Sequence, residues 1–157
     1  MKAILEHLGI DRRRLALEWI SAAEGIRFVE IITRFDQQVR ELGPLGESEG
    51  LEREPLIRKL EASRMASESM RIRMAFAKQA KTIRQENAYG TLPDREKLFS
   101  AFADEMNLYE VLVCLREKER SVAELAELLG LSPEKVTAIC EALKRKKLWE
   151  GELTRAS

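Results

Sequence analysis

Six residues, Leu15-Ala16-Leu17-Glu18-Trp19-Ile20, constrain the fold of this chain more than any other feature. They are mostly apolar and lack the three- and four-residue spacing of an amphipathic helix, so they read as a β-strand. Helical patterns flank them. Met1 to Leu8 places Ala3, Ile4, Leu5 and Leu8 at helical spacing and stops at Gly9, a usual residue at a helix C-terminus. Ser21-Ala22-Ala23-Glu24 has the pattern of a capping box, the Ser21 hydroxyl accepting from the Glu24 amide and the Glu24 carboxylate accepting from the Ser21 amide. The helix it opens runs to about Leu42, with Phe28, Ile31, Ile32, Phe35 and Val39 on one face, and ends at Gly43-Pro44. A lone strand leaves amides and carbonyls unpaired along both edges, which is costly once they are buried. Strand–helix order with a nearly continuous apolar strand is the pattern of the last unit of a parallel, helix-covered sheet. The N-terminal part is therefore expected to be a truncated α/β tail of helix, strand and helix. Another subunit or a second copy would supply its missing edge. Trp19 reads as core, or as interface if the strand is completed from outside.

Residues 43–55, with Gly43, Pro44, Gly46, Ser48, Gly50 and Pro55, read as a linker. From Pro55, suited to a first helical turn, to about Glu86 neither Gly nor Pro interrupts. This predicts one long helix of roughly 45 Å at 1.5 Å per residue. Met65, Ile72, Phe76 and Ile83 form one stripe on it; Met70, Met74 and Ala77 form a second. Residues 53–90 hold nine Lys or Arg against four Asp or Glu. Because Glu61, Arg64, Glu68, Arg71 and Lys78 fall on one line, the segment reads as a solvated face of ion pairs before it reads as a nucleic-acid patch. Asn87 to Pro93 breaks the helix, and Asp94 caps the next, which carries Leu98, Phe99, Phe102 and Met106. Asn107 is expected to restart the phase, opening a separate helix over 108–119.

Ser121-Val122-Ala123-Glu124 is a second capping box, opening a short helix that ends at Leu129-Gly130. After Leu131, Ser132 caps and Pro133 starts another helix, through about Lys147. With the preceding helix and a short strand expected at Leu148 to Leu153, residues 94–157 read as a winged-helix-like helix-turn-helix domain. The whole chain is thus expected to be mainly α, with domains at 1–45, 46–93 (linker and long helix) and 94–157. On the presumed recognition helix Glu134 and Glu141 would repel a phosphate backbone, and Lys144-Arg145-Lys146-Lys147 suits a helix C-terminus without any ligand. Protein contact or a purely structural cap is therefore the favoured use of this domain. The alternative is a DNA-binding regulator acting through Lys135, Thr137 and Lys144.

The residue inventory narrows the chemistry further. The 157 residues carry 27 Lys plus Arg against 27 Asp plus Glu, which removes the overall electrostatic argument for nucleic acid or anionic lipid. No stretch has the roughly 18–20 apolar residues of a membrane span and no signal-peptide pattern opens the chain, so a cytoplasmic location is expected. Cys114 and Cys140 sit inside helical patterns as small hydrophobes, and His7, the one histidine, reads as a surface residue. These three do not assemble a four-ligand zinc or iron–sulfur site, nor a Cys–His or Ser–His–Asp arrangement, so the chain is not expected to be catalytic alone.

Leu17-Glu18-Trp19-Ile20-Ser21-Ala22-Ala23-Glu24-Gly25, Phe28 and Glu41-Leu42-Gly43-Pro44-Leu45, preceded by Gly9-Ile10-Asp11-Arg12-Arg13-Arg14, resemble a known family. The resemblance is to the C-terminal end of the methyl-viologen-reducing hydrogenase delta subunit, which is a small iron–sulfur protein, and covers roughly the first 45 residues. Asn87, Tyr89 and Gly90 resemble a motif of C-terminal extensions in related proteins. The resemblance implies an electron-transfer subunit with a two-iron–two-sulfur cluster, relaying electrons between a hydrogenase or formate dehydrogenase and a heterodisulfide-reductase-type flavoprotein. The cluster ligands of that family lie upstream of the matched segment, and no cysteine precedes Cys114 here, so none can be assigned to this chain. The expected role is that of an accessory or docking subunit, with no catalytic or metal residue of its own. Its subunit interface is expected at Trp19, Ser21, Glu24, Arg27 and Phe28, facing a cysteine-bearing delta-subunit portion or a second copy.

Overall fold

The computed structural model describes residues 2–86 and 94–151, and the helix break expected over Asn87 to Pro93 lies outside them. Seven α-helices are formed among the described residues: α1 (Lys2–His7), α2 (Gly25–Leu42), α3 (Arg53–Glu68), α4 (Met70–Gln85), α5 (Arg95–Glu117), α6 (Val122–Leu129) and α7 (Pro133–Arg145). A single 3₁₀ turn, Arg12–Arg14, follows α1. The chain divides into two compact units, residues 1–56 and 57–157.

In the first unit α1 ends in paired backbone bonds, Ile10 N to Leu5 O at 2.8 Å and Gly9 N to Glu6 O at 3.0 Å, closed by Gly9 at φ 76°. Leu8 and Ile10, on either side of this turn, are buried, as are Leu42 and Leu56 of the same unit. The expected strand at Leu15 to Ile20 does not form a ladder. Leu15 is extended (φ −128°, ψ 120°), yet no backbone hydrogen bond reaches residues 16–20 among the described residues. The physical reason is that the described residues offer these six no second strand. Trp19 is 85% exposed, so it is not core. The second helix also starts later than the Ser21 box predicts. The Glu24 carboxylate accepts from the Ser21 amide at 2.8 Å, but the Ser21 hydroxyl accepts from Ala23 rather than Glu24, and regular helix begins at Gly25. The Gly- and Pro-rich stretch after Gly43 is a run of turns. Gly46 adopts φ 91°, where a Cβ would lie 2.9 Å from Leu56, so the turn closes onto α3 only because that residue is glycine.

In the second unit the expected long helix is two. Ser69 is extended (φ −66°, ψ 145°) and its hydroxyl accepts from the Ile72 amide at 3.3 Å, ending α3 and capping α4. Serine offers the backbone an alternative to the helical bond, a break that needs neither Gly nor Pro. The expected restart at Asn107 is likewise absent, and α5 runs unbroken for 23 residues. Its C-terminal half is enclosed on nearly all sides, Val111, Leu112 and Cys114 being fully buried, so the apolar pattern there has no single face to keep in phase. Leu125, Val136, Ile139, Cys140 and Leu143 of α6 and α7 complete this core. The capping box at Ser121 and Glu124 forms in both directions, and Gly130 takes the left-handed conformation (φ 63°, ψ 32°) before Ser132 caps α7. The strand expected from Leu148 is not seen through Gly151, and its last two residues lie outside the described ones. Leu148 and Trp149 pack on the core that α5, α6 and α7 form.

Candidate subunit interface

Arg14 sets the geometry of the first unit. Its guanidinium donates to Leu42 O at 3.1 Å, the last carbonyl of α2, and to Gly43 O at 2.8 Å and Pro44 O at 3.1 Å in the turn that follows. It also pairs with the Glu49 carboxylate at 2.6 Å, both side chains about nine-tenths buried. Glu49 accepts in addition from the Asp11 and Gly46 amides at 3.2 and 3.0 Å. The Arg14 hydrogen bond, against some desolvation and with help from those amides, lowers the Glu49 carboxyl to about 2. One buried ion pair thus fixes the 3₁₀ turn, the end of α2 and the turns after it. Leu15, extended, follows directly on this node.

The segment itself is tethered at two points. Gln38 Nε2 of α2 donates to Arg13 O at 2.5 Å, and Glu18 faces Arg34 at 3.8 Å. Between it and α2 lies a cleft of about 220 Å³, with Leu15, Ile31 and Phe35 in its wall and Lys2, Arg12 and Arg13 among its lining residues. Leu17 is 79% exposed, and α2 continues the apolar surface with Ile26, Phe28, Val29 and Ile32, each about half exposed or more. Exposed apolar side chains thus occur on both the segment and α2.

Of the expected interface residues, Ser21, Glu24 and Arg27 form one hydrogen-bonded chain, Arg27 donating to Glu24 at 3.0 Å. The Ser21 amide bond, then Arg27, lowers the Glu24 carboxyl below its ordinary value. Trp19 and Phe28 are exposed on either side of that chain in sequence. Leu17, Ile26 and Val29 are exposed apolar residues that the sequence reading leaves out of the interface, because the face it finds on α2 runs through Phe28 and Val39. Ile26 and Val29, three apart, are the signal that could have found a second face. Arg14 and Glu49 carry no such signal, since 35 residues separate them.

On α7, Lys135, Thr137 and Lys144 are exposed. The Thr137 hydroxyl donates to Pro133 O at 2.9 Å, and the Lys144 ammonium lies 5.2 Å from the Trp149 ring centroid. His7 is exposed in the last turn of α1.

The cluster implied by the resemblance does not fit the donors present. Cys114 and Cys140 are buried, burial raises both thiols above their ordinary value, and a thiolate ligand is disfavoured at each. No group of three or more His, Cys, Asp or Glu able to hold a metal occurs among the described residues. Nor is any helix among them long and apolar enough to cross a membrane.

Comparison with known proteins bears on the same N-terminal stretch. Over 41 residues the chain is 51% identical to the iron-sulfur subunit of the F420-non-reducing hydrogenase of Archaeoglobus profundus, covering 26% of this chain and 30% of that protein. Over 46 residues it is 48% identical to one subunit of the ferredoxin:CoB-CoM heterodisulfide reductase of Methanosarcina mazei, covering 29% of this chain and 6% of that one. The corresponding protein of Methanosarcina acetivorans, from its ferredoxin/F420H2-dependent CoB-CoM heterodisulfide reductase, is 44% identical over 46 residues. The chain thus spans less than a third of the length of each of these relatives. No solved structure matches. Residues 1–43, which hold α1, the Arg14 turn, the unpaired segment and α2, match the model of the methyl-viologen-reducing hydrogenase delta-subunit family.

Proposed function

We propose that this chain is an accessory, docking subunit of a hydrogenase- or heterodisulfide-reductase-type electron-transfer complex. Residues 1–45 complete a sheet begun by a cysteine-bearing delta-subunit portion or a second copy, residues 46–93 bridge, and residues 94–157 form a winged-helix-like domain that caps or docks. The cluster belongs to the partner, and the neighbours of the assembly are a heterodisulfide-reductase-type flavoprotein and a hydrogenase or formate dehydrogenase. One observation carries this reading: the stretch that matches the family holds residues 16–20, which no backbone hydrogen bond reaches among the described residues, together with exposed Leu17, Trp19 and Phe28. An added strand pairs such backbone and covers such side chains at once.

Isothermal titration calorimetry of the chain against a recombinant cysteine-bearing delta-subunit portion tests it. The expected outcome is saturable binding with a negative heat-capacity change, the mark of apolar burial. Trp19→Ala should weaken it by about 2 kcal/mol, the scale of a central aromatic contact. A flat titration, with sedimentation showing neither a complex nor a self-associated N-terminal unit, defeats the reading.

A further inference from the structure

The charges of this chain cancel in total but are separated in place. α4 carries Arg71, Arg73, Lys78, Lys81 and Arg84 and no carboxylate. Its inner side is closed by buried Ile72 and half-buried Ile83, while Met70 and Met74, one turn apart, stand 66% and 63% exposed. Arg71 is engaged with Asp104 and Glu105. Arg73, Lys78, Lys81 and Arg84 have no carboxylate at ion-pair distance among the described residues. α6 is the reverse: Glu124 and Glu127 with no cation in the helix, beside Leu128, 40% exposed. Exposed methionines bordered by unpaired cations and an exposed leucine bordered by carboxylates are complementary in both polarity and charge. Methionine adapts readily to a partner surface.

We propose that α4 of one copy packs on α6 of a second copy, with Met70 and Met74 against Leu128 and with Lys78, Lys81 and Arg84 facing Glu124 and Glu127. A lipid surface suits α4 less well, because its third exposed large apolar residue, Phe76, lies on the opposite side of the helix from Met70 and Met74, so no single apolar face is presented for insertion. This contact lies wholly within residues 57–157 and stands apart from the docking proposed for residues 1–45.

Sedimentation velocity of the full chain tests it. Self-association is expected at about 20 mM salt and its loss at about 500 mM, since exposed ion pairs are screened over that range. Lys81→Glu and Glu127→Lys, both at exposed sites, should each weaken association by about tenfold or more. An equimolar mixture of the two variants should recover the native mass, because one contact of the mixed pair is charge-reversed on both sides and the other is native. The proposal is overturned by a monomer at low salt and about 100 μM, a concentration that would populate any self-association with a Kd in the low micromolar range, or by a mixture that fails to recover. Binding of the chain to phosphatidylserine vesicles without self-association assigns the face to lipid and overturns it too. Circular dichroism of each variant checks folding, and the salt series of the unaltered chain needs no variant at all.

Discussion

Arg14 acts on three segments at once, and the effect of removing it follows from what it leaves behind. Arg14→Ala strips a buried carboxylate of its cation and the end of α2 of its donor. The expected cost is about 3 kcal/mol, the scale of a broken buried pair, read from urea unfolding of the N-terminal unit. Glu49 adds a pH dependence whose sign is fixed by the direction of its shift. Its folded carboxyl lies at about 2 against an ordinary 4.5, so its contribution is complete above 4.5 and is lost as pH falls toward 2. Thermal melts between pH 5 and 2 should show that loss, and Glu49→Gln should flatten it. Lys147 offers the opposite test. It closes α7 at φ 55°, with Leu148 N bonded to Leu143 O at 3.0 Å, a position that suits glycine. Lys147→Gly should stabilise the second unit by up to about 1 kcal/mol, seen as a higher Tm.

Helix α5 shows how an element depends on its neighbours. Glu105, 1% exposed, accepts from Lys146 at 3.2 Å and from Arg71 at 3.4 Å through one oxygen, while its other oxygen is buried without a partner. Five residues on, Glu110 meets Arg58 of α3 at 3.4 Å with both side chains about nine-tenths buried. These pairs join helices far apart in sequence, at a desolvation cost that their attraction only partly offsets. Lys146→Met should therefore destabilise the unit, leaving Glu105 less compensated, whereas Glu105→Met should be neutral or stabilising. Chemical denaturation of the two variants compares them directly. Ser69 divides α3 from α4 by its hydroxyl alone, and Ser69→Ala should cost about 1 kcal/mol of the same transition. The sequence held this signal as Ser69 three residues before Ile72, but an uninterrupted run without Gly or Pro obscured it. Asn107 misled in the other direction. A cap residue inside a helix enclosed by other helices has no terminus to cap.

Across the whole molecule the two tryptophans report different surroundings. Trp149 is half-buried on the α5–α7 core beneath Lys144, whereas Trp19 is open to solvent. In a Trp149→Phe variant the remaining emission should be that of an exposed indole. Addition of the cysteine-bearing partner should move it to shorter wavelength, and an unmoved spectrum at saturating partner counts against docking at Trp19. Much of this architecture was legible in the residues themselves, because the forces that set it are local. Gly9, Gly43 and Gly130 end helices through their own φ, Ser121, Ser132 and Asp94 cap them through their own side chains, each accepting from the amide three residues on, and the turn between α6 and α7 follows from both. Cys114 and Cys140 were likewise readable as buried from the apolar positions around them. Tertiary structure alone decided the rest: that Leu15 to Ile20 finds no partner strand among the described residues, that Arg14 reaches Glu49, and that Glu105 and Glu110 lie inside. Each of those depends on groups far apart in the chain being brought together or left apart by packing, and periodicity along the chain carries no information about that.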